Sequence, residues 1–124
     1  MNSKRPVNLD LSTIAFPLPA LISITHRITG VILFVGIGLL LLGLDLSLAS
    51  EESFNSLKEC LDGVFVKIIL WGILAGLIFH ITAGFKHLLM DMGIGETLEG
   101  GQLGAKIVLG LSVVLIIAAG VWIW

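Results

Sequence analysis

Three long stretches without a charged side chain constrain this sequence more than any other feature. They lie between Arg27 and Asp45, between Lys67 and Lys86, and after Lys106. A bilayer has a hydrocarbon core of roughly 30 Å, which about 20 mostly apolar helical residues can cross. Because each stretch approaches that length, the sequence predicts an all-α membrane protein with three transmembrane helices.

The composition agrees with this class. Charged residues make up 13% of the 124 residues and hydrophobic residues 56%, whereas about 25% of a soluble domain is charged. Transmembrane β-strands alternate in polarity over about ten residues, but these stretches are apolar on every face. The single cysteine, Cys60, excludes a disulfide within the chain. Three helices enclose little space, so we expect them to pack against other subunits.

We expect a single membrane-anchor domain over residues 1–124. Pro17 and Pro19 disfavour regular helix around them, because proline lacks an N–H and restricts the residue before it. The segment before the first helix is therefore predicted to be an arm, and the segments between the helices are read as loops. The predicted bounds are 1–20 for the arm and 20–49, 63–92 and 105–124 for the three helices.

The distribution of Lys and Arg predicts the orientation, because cytoplasmic loops carry an excess of both. With the N-terminus inside the cell, five of them are cytoplasmic and two are external. The five are Lys4, Arg5, Arg27, Lys86 and Lys106, and the two are Lys58 and Lys67. Trp122 and Trp124 then fit the aromatic belt at the outer interface.

His80 is the most informative residue, because ionisable groups inside a membrane helix are costly and usually functional. Gly72, Gly76 and Gly84 share its helical face at intervals of four residues. Two interpretations stay open. Small residues beside a histidine leave a groove for a porphyrin, or they form a helix-packing seam across which His80 donates a hydrogen bond.

If His80 ligates haem iron, a second residue has to supply the other axial ligand. The third predicted helix contains no histidine, and His87 lies two turns from His80, about 10 Å along the same helix. His26, near the start of the first helix, is expected to be shallower in the membrane than His80. These positions predict that a second polypeptide supplies the other ligand.

A second cluster of polar residues lies near the start of the first predicted helix. Ser23, His26 and Arg27 stand at i, i+3 and i+4, so they share one face. Such donors at the bilayer edge suit the carbonyl oxygens of a quinone or the propionates of a buried haem. An ordinary helix start, with Arg27 reaching the headgroups, is the alternative.

Two segments of the chain form recognisable motifs. They are Arg5-Pro6-Val7, Leu11, Leu18 and Ser23-x-x-His26-Arg27-x-Thr29, followed by His80-x-x-x-Gly84-Phe85-Lys86-His87-Leu88-x-Met90-Asp91. They resemble the signatures of the succinate dehydrogenase cytochrome b membrane anchor subunits. The resemblance covers nearly the whole chain, although Lys86 stands where the family usually has arginine and Phe85 where it commonly has an aliphatic residue. It implies that the three helices pack with a second small subunit in a heterodimeric anchor bundle.

This resemblance implies roles for individual residues. His80 would be the haem axial ligand and bind the haem iron, His26 and Arg27 would contact the haem propionates, and Ser23 and Arg27 would bind quinone. The b-type haem would be shared with a second small anchor subunit, beside an iron–sulfur subunit and a flavoprotein subunit.

The resemblance also implies what the chain does. It would not act on succinate or be catalytic alone, but would help to pass electrons to ubiquinone in a bacterial inner membrane. A haem-less fumarate reductase anchor and a packing subunit of a transporter are the rival interpretations.

The predicted orientation can be tested with a reporter fused after Trp124. Because the Lys and Arg bias places the C-terminus outside, we expect the fusion to be active only as an exported, periplasmic reporter. A cytoplasmic reporter fused at the same residue serves as the control, and its activity would contradict the orientation.

Overall fold

The computed structural model describes residues 9, 10, 12 and 15–124. Arg5-Pro6-Val7 and Leu11, which contribute to the resemblance, and Lys4, which contributes to the charge bias, lie outside the described residues. The structure therefore bears on the helical part of the prediction and on the few described arm residues.

The described residues form four helices joined by short connections. Three are long and apolar enough to cross a membrane, with 32, 28 and 26 residues. This confirms the predicted fold class of an all-α membrane protein with three spans. The helices are α1 (Leu18–Ala49), α2 (Glu51–Leu61), α3 (Val64–Asp91) and α4 (Leu98–Ile123).

Helix α1 begins before the predicted residue 20 because Pro19 fits its first turn. The first N–H groups of a helix have no partner within the helix, so a proline there sacrifices no hydrogen bond. Pro17 is the N-cap in an extended conformation. The proline pair therefore sets the start of α1 instead of preventing it.

Helix α2 occupies residues that the sequence analysis assigned to a polar loop. Ser50 caps it by accepting a hydrogen bond from the Ser53 N–H at 3.0 Å. Acidic residues lie in its first turn and Lys58 lies in its last, which suits the helix dipole. The signal was present in the spacing of three apolar residues at i, i+3 and i+7, which are Phe54, Leu57 and Leu61.

Helix α4 also begins earlier than predicted, at Leu98 instead of residue 105. Glycines at the start of this segment suggested a loop, but Thr97 caps the helix by accepting from the Gly100 N–H at 3.0 Å. The turn before it depends on Gly93, whose φ of 83° is one that glycine adopts freely. The Ile94 N–H bonds to the Leu89 carbonyl at 2.9 Å, which closes α3 in a Schellman motif.

Helix α3 lies between the other two spans and packs against both. A small core of Ile22, Phe79, Ala83, Ala105 and Val108 joins the three helices. Further along, the buried hydroxyl of Ser112 lies 2.7 Å from that of Thr82. Small and hydroxylated contacts of this kind are typical of helix association in lipid.

The contact of α1 with α3 is a glycine seam. A Cβ at Gly76 would lie 3.5 Å from Ile32 Cγ2, and one at Gly84 would lie 3.2 Å from His26 Nε2. Both neighbours belong to α1. Gly76 and Gly84 thus belong to a packing seam with α1, and Gly84 also borders an open cleft beside His80. A Cβ at Gly72 would meet nothing within 4 Å.

The far end of the α3–α4 pair is organised by Trp71. Its indole N–H donates to the Ile116 carbonyl at 2.8 Å, and its ring meets Trp124 edge-on with centroids 6.0 Å apart. A Cβ at Gly120 would lie 3.1 Å from the indole. The aromatic residues thus gather at the end of the bundle that the orientation prediction places outside.

The glycine seam predicts a strong dependence on side-chain size at Gly36, where a Cβ would lie only 3.1 Å from Ile73 Cγ2. We expect Gly36→Leu to lower the free energy of unfolding by about 1–3 kcal/mol, the usual cost of overpacking. Thermal unfolding of the purified protein in its complex measures this. Gly38→Leu is the matched control, because a Cβ at Gly38 meets nothing within 4 Å.

A double-mutant cycle tests whether the contact is direct. Gly36→Ala should cost less when Ile73→Ala is also present, because the neighbour that the new methyl group meets is gone. Strict additivity of the two substitutions would contradict the seam.

Candidate functional site

Three histidines converge where the N-terminal part of α1 meets the C-terminal half of α3. The rings of His26 and His80 are stacked, with centroids 4.0 Å apart and planes 8° from parallel. The His87 ring lies on the other side, 5.2 Å from His26 at a tilt of 59°. His26 thus connects two α3 histidines that are separated by two turns.

The hydrogen bonds of His80 fix its tautomer. Its Nδ1 lies 3.1 Å from the His26 carbonyl oxygen and 3.1 Å from Thr29 Oγ1. A carbonyl oxygen only accepts, so Nδ1 carries the hydrogen and Nε2 of the neutral ring keeps a lone pair. The Thr29 hydroxyl donates to the same carbonyl at 2.9 Å, which leaves its oxygen to accept from Nδ1.

The second ring nitrogen of His80 is open to a ligand. Within the described part of the chain, Nε2 has no hydrogen-bond partner, and no buried side-chain nitrogen or oxygen lacks one. Since His80 is only half-buried, it follows that Nε2 is accessible. A neutral imidazole with Nδ1–H held by an oxygen and Nε2 free is the usual form of a metal-ligating histidine.

His80 borders a cleft of about 470 Å³ on the surface of the bundle. We call it the histidine cleft. One side is polar, and the other is formed by apolar α3 side chains. Its lining residues are His26, His80, Ile81, Gly84, Phe85, His87 and Leu88.

The expected depth of His26 is wrong. His26 lies level with His80, because α1 and α3 approach closely where Gly30 and Gly84 face the two imidazoles. Two axial ligands must direct nitrogens at one iron from opposite sides of a porphyrin. Imidazoles stacked face to face at 4.0 Å leave no room for a porphyrin between them, so this pair does not provide both ligands to one iron.

Ser23 and Arg27 take a different position from the histidines. Both lie on the face of α1 that includes His26, with Ser23 half-buried and Arg27 exposed. Neither lines the histidine cleft. The structure thus gathers His26 and His80 at one site. Ser23, one turn before His26, and Arg27, the residue after it, lie outside the cleft.

Two features of this region escaped the sequence analysis. Thr29 was noted only as a matching residue of the family resemblance, and its bond to His80 spans 51 positions of sequence. Lys86, counted as a cytoplasmic charge, is only 8% exposed. Neither feature has a local sequence signal, because both depend on how the helices are rotated against one another.

Comparisons with known proteins agree with this architecture. Residues 1–119 match the family model described as succinate dehydrogenase/fumarate reductase transmembrane subunit. A succinate dehydrogenase cytochrome b556 subunit of Coxiella burnetii is 43% identical over the full length of both chains.

More distant relatives also match most of this chain. A cytochrome b556 subunit of Paracoccus denitrificans is 34% identical over 90% of this chain and 85% of its own. A mitochondrial cytochrome b560 subunit of Sus scrofa is 31% identical over 91% of this chain and 68% of its own. The chain therefore belongs to the succinate dehydrogenase/fumarate reductase transmembrane subunit family.

Proposed function

We propose that this succinate dehydrogenase membrane subunit holds one b-type haem through His80, shares it with a second anchor subunit, and forms part of a ubiquinone-reduction site. The names of the relatives, cytochrome b556 and b560 subunits, support a haem of this type. When bound, haem supplies a one-electron carrier within the membrane. The residues of this chain hold and orient it.

The observation that carries the proposal is the fixed tautomer of His80. The His26 carbonyl and Thr29 hydroxyl hold Nδ1–H, so the Nε2 lone pair is available to iron without a change of tautomer. Such a partner also raises the basicity of the ligating nitrogen. The residues present therefore fit a haem ligand at this position.

A second subunit is needed to complete the proposed haem site. His26 is stacked on His80 and His87 lies beyond it, so neither imidazole faces His80 across a porphyrin. The histidine cleft opens to the surface of the bundle, where a partner helix can approach. We infer that the second anchor subunit contributes the other axial ligand.

The proposed polar contacts follow from charge. His26 borders the cleft and Arg27 follows it on α1, and in this proposal both bind haem propionates. Ser23 lies one turn from Arg27 on the same face, where its hydroxyl would donate to a quinone carbonyl. Reduction adds negative charge to the quinone oxygens, and a nearby guanidinium stabilises that charge.

Family membership supports a wider assembly. In the proposed complex, the soluble partners are a flavoprotein that oxidises succinate and an iron–sulfur subunit that passes the electrons on. With the N-terminus of α1 at the cytoplasmic face of a bacterial inner membrane, Ser23 and Arg27 lie on the side where these subunits dock. Protons for quinone reduction are also available there from water.

The ligand assignment predicts the result of His80→Ala. Removing the imidazole should reduce haem retention at least tenfold, or leave a haem with an altered spectrum, because one of two axial bonds is lost. The visible spectrum and haem content of the purified complex measure this. Unchanged haem content and spectrum would exclude His80 as the ligand.

Two further variants separate ligation from packing. His87→Ala removes a neighbouring imidazole and should leave the axial ligation intact. Thr29→Val keeps the side-chain shape but removes the hydroxyl, so it should keep the haem and raise its reduction potential as Nε2 becomes less basic. Thr29→Ser should restore the original potential.

The quinone assignment predicts the result of Ser23→Ala. We expect succinate:quinone activity to fall about tenfold or more while succinate oxidation with an artificial dye persists, because the dye bypasses the membrane site. Thr25→Val is the matched control, since the Thr25 hydroxyl donates to the Leu21 carbonyl of its own helix. Full quinone turnover and unchanged inhibitor affinity in Ser23→Ala would remove Ser23 from the site.

A further inference from the structure

Lys86 is a buried cation whose charge is not balanced within the described part of the chain. It is 8% exposed, and its Nζ lies 3.1 Å from Met90 Sδ, a weak acceptor. No carboxylate of the described residues forms an ion pair with it. An ammonium in apolar surroundings is costly unless an anion accompanies it. The structure thus presents a cation that lacks its anion.

The lysine side chain has a dedicated place between α3 and α4. Its stem crosses Gly104, where a Cβ would lie 3.1 Å from Lys86 Cε. It borders a second, larger cleft of about 640 Å³, which we call the lysine groove. Apart from Lys86 and Thr82, the side chains that line this groove are apolar, among them Phe85, Ile107 and Leu111.

The length of the lysine groove suits an acyl chain of one leaflet. The groove extends along α4 from Gly100 to Leu111, about 16 Å at 1.5 Å per residue. Half of a bilayer core is about 15 Å thick. An acyl chain that starts at the charged end of the groove can therefore lie along its whole length.

The charged end of the lysine groove lies at the level of lipid headgroups. Lys86 is five residues, about 7.5 Å, from the end of α3, and its Nζ extends toward Met90, nearer that end. Gly100, near the N-terminus of α4, lines the same groove, and a helix N-terminus also favours negative charge. Asp91, Glu96 and Glu99 are exposed and do not line the groove.

We propose that the lysine groove binds one anionic phospholipid, with its phosphate paired to Lys86 and an acyl chain lying along α3 and α4 toward Leu111. The negative headgroup supplies the missing anion, which a zwitterionic lipid with its own cation does less well. This site is separate from the histidine cleft, although Ile81 and Phe85 line both. It does not depend on the haem assignment.

Lipid retained by the purified, detergent-washed complex tests the site. Mass spectrometry should find one anionic phospholipid fewer per copy of this chain in Lys86→Gln than in the unaltered protein. Lys86→Arg should retain it. Lys106→Gln is the matched control, because Lys106 is an exposed cation on α4 that does not line the groove. Equal retention in Lys86→Gln and Lys106→Gln would overturn the proposal.

Two measurements keep the test decisive if Lys86→Gln does not assemble. Delipidated wild-type complex should gain thermal stability with phosphatidylglycerol and little with phosphatidylcholine, because a ligand stabilises the state that binds it. An equal gain with both lipids would contradict an anionic site. Ile107→Trp fills the groove and should expel the lipid from an assembled complex. Loss of a partner subunit instead would assign the groove to that partner and overturn the proposal.

Discussion

In a hydrocarbon solvent, apolar side chains gain nothing by leaving lipid for one another, so helices associate where their backbones come close. In this protein α1 and α3 meet where Gly30 and Gly84 face the imidazoles of His80 and His26. That close approach allows the His80 ring to reach the backbone carbonyl of His26 at 3.1 Å. The stacked pair of imidazoles and the histidine cleft both follow from it.

The close contact between α1 and α3 also explains which parts of the site could be predicted from the sequence. Hydropathy identified the three spans, because the length of an apolar run depends on bilayer thickness and not on packing. The depth of His26 could not be obtained that way, since it depends on the vertical offset of α1 against α3. Family resemblance pointed to His80, but only the helix rotations show which of its nitrogens is free.

Two helical segments were predicted as loops for a related reason. α2 has only 11 residues, and helices this short are marginal on their own. The first turns of α4 are rich in glycine, whose intrinsic helix propensity is low. Caps at Ser50 and Thr97 and contacts with neighbouring spans offset that deficit. Gly104 is an example. A glycine weakens an isolated helix, but here it makes space for the aliphatic part of the Lys86 side chain. Intrinsic helix propensity therefore predicts the helix bounds poorly where caps and tertiary contacts determine them.

The bond between Thr29 and His80 has a consequence for how such a subunit diversifies. The proposed ligand belongs to α3, while the hydroxyl that sets its donor strength belongs to α1. If His80 ligates haem as proposed, ligation and redox tuning are encoded in separate parts of the gene. Substitutions at position 29 would then adjust the driving force for electron transfer while the proposed iron-binding imidazole stays unchanged. Organisms that use quinones of different potential could exploit that independence without rebuilding the site.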